Sequence, residues 1–203
     1  MADGARTGDG RADLLRELEE GPGYVVLRDA VPEALVESGL RRLNLEILRC
    51  GISAEQIGEW KYATFWPTLR WEPEIVALRQ PLEDLVAPRP GESWGDAQLL
   101  LRFPDEADEW PLEPHVDDLP DGADGRAYEV IFGVALSRSR ALDGCVTVWT
   151  GSHRGEDGPR HQVELDAGDV VALHPQVGHS STLNRGGTIR YAVYFRLLGA
   201  PPP

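Results

Sequence analysis

Residues 168–195 carry the clearest structural pattern in the chain and read GDVVALHPQVGHSSTLNRGGTIRYAVYF. A Gly-Asp turn opens this stretch, and the apolar run Val170–Leu173 that follows is typical of a buried strand. A loop with two histidines, His174 and His179, comes next, and a second apolar strand begins near Arg190. An arginine at that point can reach back from the adjacent strand and hold a carboxylate by two hydrogen bonds.

The rest of the chain divides into a helical half and a strand-rich half. Further short apolar runs alternate with glycine, proline and aspartate at Ala97–Phe103, Val130–Leu136, Cys145–Trp149 and Gln162–Leu165. Such runs predict an antiparallel β-barrel or jelly roll. Helical spacing of leucines instead marks Asp13–Glu20, the segment between Pro32 and Gly51, and Glu74–Val86. We expect a disordered leader at 1–12 and one domain at 13–203, with a helical layer at 13–90 and a jelly-roll core at about 95–198.

Composition restricts the possible functions. The 203 residues are 41% hydrophobic, which suits one folded domain, and the formal net charge of -14 argues against nucleic-acid binding. No apolar run approaches the roughly 18 residues of a membrane span, and the first twenty residues lack a signal-peptide core. Two cysteines are too few for a disulfide scaffold. These features predict a cytoplasmic protein, a monomer or weak homo-oligomer, that acts on a small molecule away from membranes.

A His-x-Asp motif at His115 and Asp117 is the best candidate for metal binding. Residues two apart in a strand point to the same side, so an imidazole and a carboxylate can bind one ion together. A histidine from a distant strand would complete a set of two histidines and one carboxylate, which leaves positions open on a non-haem iron(II) ion. His179 and His174 both compete for that role, and the position of His174 favours packing or support of a ligand.

Four segments, in the same order, resemble the phytanoyl-CoA dioxygenase family of iron(II)- and 2-oxoglutarate-dependent oxygenases. They are Glu20–Arg28 with the helix Leu35–Ile47, Pro114–Asp117, Asp143–Cys145 with Thr150–His153, and Gly168–Arg190. The resemblance implies a mainly β fold with N-terminal helices and a double-stranded β-helix (jelly-roll, cupin-like) core. It also implies Fe(II) as the metal, 2-oxoglutarate as cosubstrate, and O2.

Carried over position by position, the resemblance assigns His115, Asp117 and His179 as metal ligands. Arg190, eleven residues after His179, would hold the distal carboxylate of 2-oxoglutarate, and Ser181 would add a hydrogen bond. Two departures from the family pattern are Thr150, where proline is usual, and Ala192, where many oxygenases carry a hydroxyl. Because halogenases of this fold replace the carboxylate with a small residue, Asp117 favours hydroxylation or oxidative rearrangement over halogenation.

Candidates for the remaining contacts each have a structural alternative. Gln98 and Arg102 share one face of a predicted strand, so they either contact 2-oxoglutarate and substrate, respectively, or face solvent. Tyr62 and Trp66 belong to an aromatic segment, residues 60–71, that forms either a wall over the iron site or a core patch. Asp118 either meets a cationic group of the substrate or caps a turn.

The predicted activity is hydroxylation or oxidative rearrangement of a small polar or amine-bearing metabolite, in keeping with secondary metabolism, with release of succinate and CO2. Two alternatives are a cupin-like metal isomerase or epimerase without a cosubstrate, and a non-catalytic jelly roll that binds a small molecule. Arg190 argues against the first, which has no dicarboxylate to hold. The complete set of metal ligands argues against the second.

Overall fold

A computed structural model describes residues 10–51, 69–104, 113–117 and 126–201. The helices are α1 (Gly10–Glu20), α2 (Glu33–Cys50), α3 (Pro73–Val76) and α4 (Gln80–Leu85), with 3₁₀ turns at Ala77–Arg79 and Ser152–Arg154. The strands are β1 (Tyr24–Leu27), β2 (Ser93–Trp94), β3 (Gln98–Arg102), β4 (Tyr128–Ala135), β5 (Val146–Trp149), β6 (Arg160–Val163), β7 (Val170–Leu173), β8 (His179–Ser181) and β9 (Arg190–Leu198).

The strands form two antiparallel sheets. The larger has the order β1-β7-β4-β9-β2, with β3 also paired to β9, and the smaller has the order β6-β5-β8. A helical layer covers the outer face of the larger sheet, and the smaller sheet faces its inner side. This arrangement confirms the predicted mainly β fold with N-terminal helices and a double-stranded β-helix core.

Alternation along the central strands explains why both faces of the larger sheet are buried. On β4, Phe132 and Val134 pack in the cluster shared with the helices, while Ile131 and Ala135 pack in the cluster between the two sheets. The same alternation holds along β9, where odd-numbered residues face the helices. Successive side chains of a strand point to opposite faces, so the even-numbered residues of β9 face the space between the sheets.

Two helices differ from the predicted bounds. The helix predicted at Glu74–Val86 is divided into α3, a 3₁₀ turn and α4, because Pro81 has no N–H to donate to the preceding turn. The first helix begins at Gly10 instead of Asp13, since Arg11 is held by buried partners. Residues 10–12 of the predicted leader therefore belong to α1, and residues 1–9 lie outside the described residues.

Two short strands were not predicted from the sequence. β2 and β8 have two and three residues, which is too short for an alternating pattern to be recognised. β6 lies two residues earlier than the predicted Gln162–Leu165, and it leaves Arg160 and His161 exposed. Of these differences, β8 matters most for function, because it begins at His179.

A buried ion-pair network fastens α1 to the larger sheet. The Arg11 guanidinium donates to both carboxylate oxygens of Glu92, at 2.7 and 2.8 Å, and to the carbonyl of Ala87 at 2.9 Å. It also pairs with Glu129 on β4. Its side chain is only 5% exposed, and hydrogen bonding to Glu92 raises the pKa of Arg11 above its ordinary value.

Arg11→Met is expected to lower the free energy of unfolding by about 3 kcal/mol, because it leaves the Glu92 carboxylate buried without its partner. Urea denaturation measures this change. Arg16→Met is the matched control, since the Arg16–Asp13 pair on the same helix is about 60% exposed on both sides. That pair should contribute less than about 1 kcal/mol. Equal losses in the two variants would contradict the structural role given to Arg11.

Among the described residues, no helix combines the length and the apolar character needed to cross a bilayer.

Candidate metal centre

His115, Asp117 and His179 lie together between the two sheets. One ligand atom from each residue can be chosen so that all three lie within 4.8 Å of one another. The backbones of His115 and His179 exchange two hydrogen bonds, at 3.0 and 2.9 Å, which add His115 to the edge of the smaller sheet beside β8. Two imidazoles and one carboxylate at this spacing suit a divalent first-row metal ion.

Backbone contacts fix the tautomer of His179. Its Nδ1 lies 3.1 Å from the carbonyl oxygen of Val177. Since a carbonyl only accepts, Nδ1 carries the proton and Nε2 keeps its lone pair. This free nitrogen lies 3.6 Å from Oδ1 of Asp117, so both atoms face the place where an ion would bind.

The charges at the cluster also suit a metal ion. Burial alone would raise the pKa of Asp117, but the positive charge and hydrogen bonding of Arg196 favour the ionised carboxylate, and this pKa is lowered to about 2. Desolvation, assisted by the neighbouring His179, lowers the pKa of His115. At neutral pH the carboxylate is therefore ionised and the His115 ring is neutral, which are the states that bind metal.

Arg190 is a buried cation with an open hydrogen-bonding side. Its side chain is 3% exposed, and Nη2 lies 3.3 Å from the hydroxyl of Tyr194. Within the described part of the chain, Nη1 has no hydrogen-bond acceptor. Gly133 makes room for the Tyr194 ring, because a Cβ at position 133 would lie 2.7 Å from it. A guanidinium that is held in place and still has unused N–H donors can bind a carboxylate.

A cavity of about 150 Å³ lies at the candidate metal cluster, and Tyr194 in its wall contacts Arg190. Its walls include the three candidate metal ligands, together with Gln98, Arg102, Ser181 and Tyr194. Gln98 and Arg102 thus face the cavity from β3. Leu99 and Leu101, which lie between them in the strand, face the helices. The structure brings these predicted contact residues into one enclosure with the His-x-Asp motif.

Other sequence candidates lie elsewhere. Tyr62, Trp66 and Asp118 lie outside the described residues. His174 does not join the cluster, since its Nε2 bonds to the Glu19 carboxylate at 3.0 Å. His179 is therefore the histidine that meets the His-x-Asp motif.

Sequence reasoning missed Arg196 and Tyr194. Both lie on β9 at even spacing from Arg190, and both line the cavity. The period of two along a strand was the available signal, because it places residues 190, 194 and 196 on one face. The guanidinium of Arg196 donates to Oδ2 of Asp117 from Nε at 2.7 Å.

Ser152 explains the Thr150–His153 motif in physical terms. Its hydroxyl accepts from the backbone N–H of Gly178 at 2.8 Å and donates to the carbonyl of Trp149 at 2.7 Å. Trp149 N–H in turn bonds to the carbonyl of Gly178 at 2.9 Å. These bonds fix the backbone immediately before His179.

Ser152→Ala is expected to loosen the His179 loop and weaken metal binding by roughly tenfold, as removal of groups that support metal ligands does in other proteins. Calorimetric titration with Mn²⁺ measures this. Ser139→Ala is the matched control, because its buried hydroxyl has no hydrogen-bond partner in the described ranges. An unchanged Mn²⁺ affinity in Ser152→Ala would contradict the supporting role.

Comparison with known proteins places this geometry among related structures. Residues 98–192 match the family model of phytanoyl-CoA dioxygenase (PhyH). None of the curated proteins matches the sequence. The fold resembles AviO1 from Streptomyces viridochromogenes Tue57, with 21% identity, 95% of this chain and 97% of that chain covered, and a TM-score of 0.62.

Two enzymes of nogalamycin biosynthesis have the same fold. The non-heme alpha ketoglutarate dependent epimerase SnoN is 20% identical over 94% of this chain and 83% of its own, with a TM-score of 0.61. SnoN has been solved with Fe3+, alpha ketoglutarate and nogalamycin RO. The carbocyclase SnoK is 19% identical over 92% of this chain and 83% of its own, with a TM-score of 0.59.

At these identities the structural likeness establishes the fold, and the family match includes every cavity-lining residue except Tyr194 and Arg196. The expected enzyme class, metal and cosubstrate are those of this family and of the nogalamycin enzymes. Residues 98–192 of this chain are similar to the phytanoyl-CoA dioxygenase (PhyH) family, whose model they match.

Proposed function

We propose that this protein is an Fe(II)- and 2-oxoglutarate-dependent oxygenase that hydroxylates or oxidatively rearranges a small polar metabolite. The observation that carries the proposal is that a candidate metal cluster and a buried guanidinium lie beside the same cavity. The cluster of two histidines and one aspartate lies in its wall, and Tyr194 in the same wall connects to the buried Arg190. This combination suits a metal ion and an α-keto dicarboxylate bound next to each other.

His115, Asp117 and His179 would hold the metal, and Arg190 would hold the distal carboxylate of 2-oxoglutarate. When bound, iron and 2-oxoglutarate supply the oxidising chemistry, which converts R–H, 2-oxoglutarate and O2 into R–OH, succinate and CO2. Ser181, on the strand that begins with His179, lies 7% exposed in the cavity wall and offers a hydroxyl to the bound cosubstrate. His179, Ser181 and Arg190 are buried, and the lower dielectric around buried groups strengthens their charged contacts.

Apolar surfaces complete the enclosure around these polar groups. Leu100 and Val146 line the cavity from opposite sheets. Ala192 places only a methyl group beside Arg190 on the same strand face, so hydrogen bonding to the distal carboxylate falls to Arg190, Tyr194 and Ser181. The hydroxyls of Tyr194 and Ser181 would thus replace the one that many oxygenases carry at the position of Ala192.

A metal isomerase that uses no cosubstrate is a weaker candidate. Such an enzyme has no ligand for the buried guanidinium of Arg190, whose burial without an anion is costly. Nogalamycin enzymes of this fold include an epimerase and a carbocyclase, so the fold does not select one outcome for the substrate. Their place in nogalamycin biosynthesis favours a secondary metabolite as the substrate.

The direct test is binding of 2-oxoglutarate to the protein under anaerobic conditions, with and without Mn²⁺ as a stand-in for Fe(II). We expect measurable binding that depends on the metal, and succinate formation when Fe(II) and air are supplied. Succinate formation is then measured in the presence of different small polar metabolites, and the substrate is the metabolite that increases its rate. Failure of the metal-loaded protein to bind 2-oxoglutarate would overturn the proposal.

A further inference from the structure

Arg196 makes the closest charged contact to the candidate metal centre. Its Nε lies 2.7 Å and its Nη2 2.5 Å from Oδ2 of Asp117. Both side chains are largely buried, at 15% and 13% exposed. The other carboxylate oxygen, Oδ1, faces Nε2 of His179 at 3.6 Å. The two oxygens of Asp117 therefore have different partners.

We propose that Arg196 is a positioning residue that occupies Oδ2 of Asp117, so that Oδ1 alone is offered to the metal ion. This inference rests on the metal centre proposed above and goes beyond it, because it assigns a task to a residue that is not itself a ligand. A guanidinium with two donors on one oxygen competes directly with a metal ion for that oxygen.

The Arg196 side chain is itself fixed by neighbours from two strands. Its Nη2 donates to Oε1 of Gln98 on β3 at 2.5 Å. Its Cζ lies 5.8 Å from the centre of the Tyr128 ring on β4, within the range of a cation–π contact. A planar guanidinium reaches the carboxylate, the amide and the ring together, which an ammonium cannot do in the same geometry. Gln98 therefore helps to orient the guanidinium that binds Asp117.

The number of coordination positions on a metal ion explains why it matters that the two carboxylate oxygens of Asp117 have different partners. A carboxylate binds metal ions through either one or both oxygens. His115, His179 and one oxygen of Asp117 would hold the metal ion and leave open positions on it for 2-oxoglutarate and O2. A second oxygen from Asp117 would compete for one of those positions. Arg196 would therefore keep that position open without itself being a ligand.

The experiment counts water molecules on Mn²⁺ in the complex with 2-oxoglutarate, by the broadening of the Mn²⁺ electron paramagnetic resonance signal in ¹⁷O-enriched water. We expect broadening from one bound water in the wild type and its loss in Arg196→Met, where both oxygens of Asp117 turn to the metal. Arg196→Lys should restore the broadening, because an ammonium still donates to Oδ2. If Arg196→Met does not fold, Arg196→Gln removes the charge and keeps a single amide donor.

Arg160→Met is the control, since it removes the same charge from an exposed position on β6. It should keep the water broadening. Steady-state kinetics give a second readout: in Arg196→Met, kcat for succinate formation should fall at least tenfold, while the KM for 2-oxoglutarate stays within threefold. A higher KM with an unchanged kcat would instead mean that Arg196 binds 2-oxoglutarate directly, which overturns the positioning role.

The outcomes separate this inference from the proposed function. If wild-type protein binds neither Mn²⁺ nor 2-oxoglutarate, the metal centre itself fails. If wild type binds both and Arg196→Met shows the same water broadening, only the role of Arg196 is wrong.

Discussion

Asp117→Ala is expected to reduce metal affinity by more than about 100-fold and to bring succinate formation down to background. Even the removal of groups that merely support metal ligands costs 10- to 100-fold, and this variant removes the only anionic ligand of the cluster. It also leaves Arg196 as an uncompensated cation beside the two histidines, which repels a divalent ion. Calorimetric titration with Mn²⁺ and metal analysis of protein reconstituted with Fe(II) measure the loss.

Glu113→Ala is the matched control for this prediction. Glu113 is an exposed carboxylate four residues before Asp117, and its loss should leave metal affinity unchanged. Asp117→Asn keeps the shape of the side chain and should still lose most of the affinity, because an amide oxygen is a weaker ligand than a carboxylate. Wild-type metal content in Asp117→Ala would refute the assignment of this residue as a ligand.

Arg190→Met is expected to raise the 2-oxoglutarate concentration needed for half-maximal succinate formation by about 100-fold, with metal affinity retained. Truncating one partner of a buried, hydrogen-bonded charge pair costs about 2–5 kcal/mol, and about 1.4 kcal/mol corresponds to a factor of ten. Anaerobic calorimetry of 2-oxoglutarate binding to the Mn²⁺-loaded variant checks the effect independently of catalysis.

The thermal stability of Arg190→Met distinguishes a ligand-binding role of Arg190 from a structural one. Arg190 is buried with an unpartnered Nη1 in the part of the chain that the structure describes, so it contributes little to the folded state before an anion binds. We expect the Tm of the metal-free protein to stay unchanged or to rise in Arg190→Met. Arg160→Met, on the exposed part of β6, is the control and should change neither quantity. A large fall in Tm would mean that Arg190 is structural.

Several elements of the fold could be predicted from the sequence because their patterns are local. The apolar run Val170–Leu173 became β7 with the same bounds, and the helix after Pro32 ends at Gly51, whose φ of 65° is in the left-handed region that favours glycine. The break in the predicted helix Glu74–Val86 was missed, although Pro81 was a local signal for it, since proline interrupts a helix regardless of its leucines.

Other features depend on partners far along the chain. Arg11 reads as part of a flexible, charged leader, and its burial becomes evident only through Glu92, eighty-one residues later. β8 exists because His179 exchanges backbone hydrogen bonds with His115 and because β5 pairs with it. Pairing between distant strands leaves no periodic signal in three residues.

The candidate site shows the same division. The His-x-Asp motif and the family resemblance brought His115, Asp117, His179 and Arg190 to attention, and the structure places the first three within reach of one ion. Arg196 escaped notice because a motif search asks which residues bind a ligand, whereas this residue contacts another side chain.

The two-faced strand β9 has a consequence for how enzymes of this architecture diversify. Tyr191, Val193, Phe195 and Leu197 hold the sheet to the helices, while Tyr194 and Arg196 line the cavity and Tyr194 contacts Arg190. Substitutions on the cavity side of β9 can therefore alter the chemistry while the packing against the helices is kept. Selection can explore new reactions on one side of a single strand, whereas a one-residue insertion would exchange the two sides and destroy both.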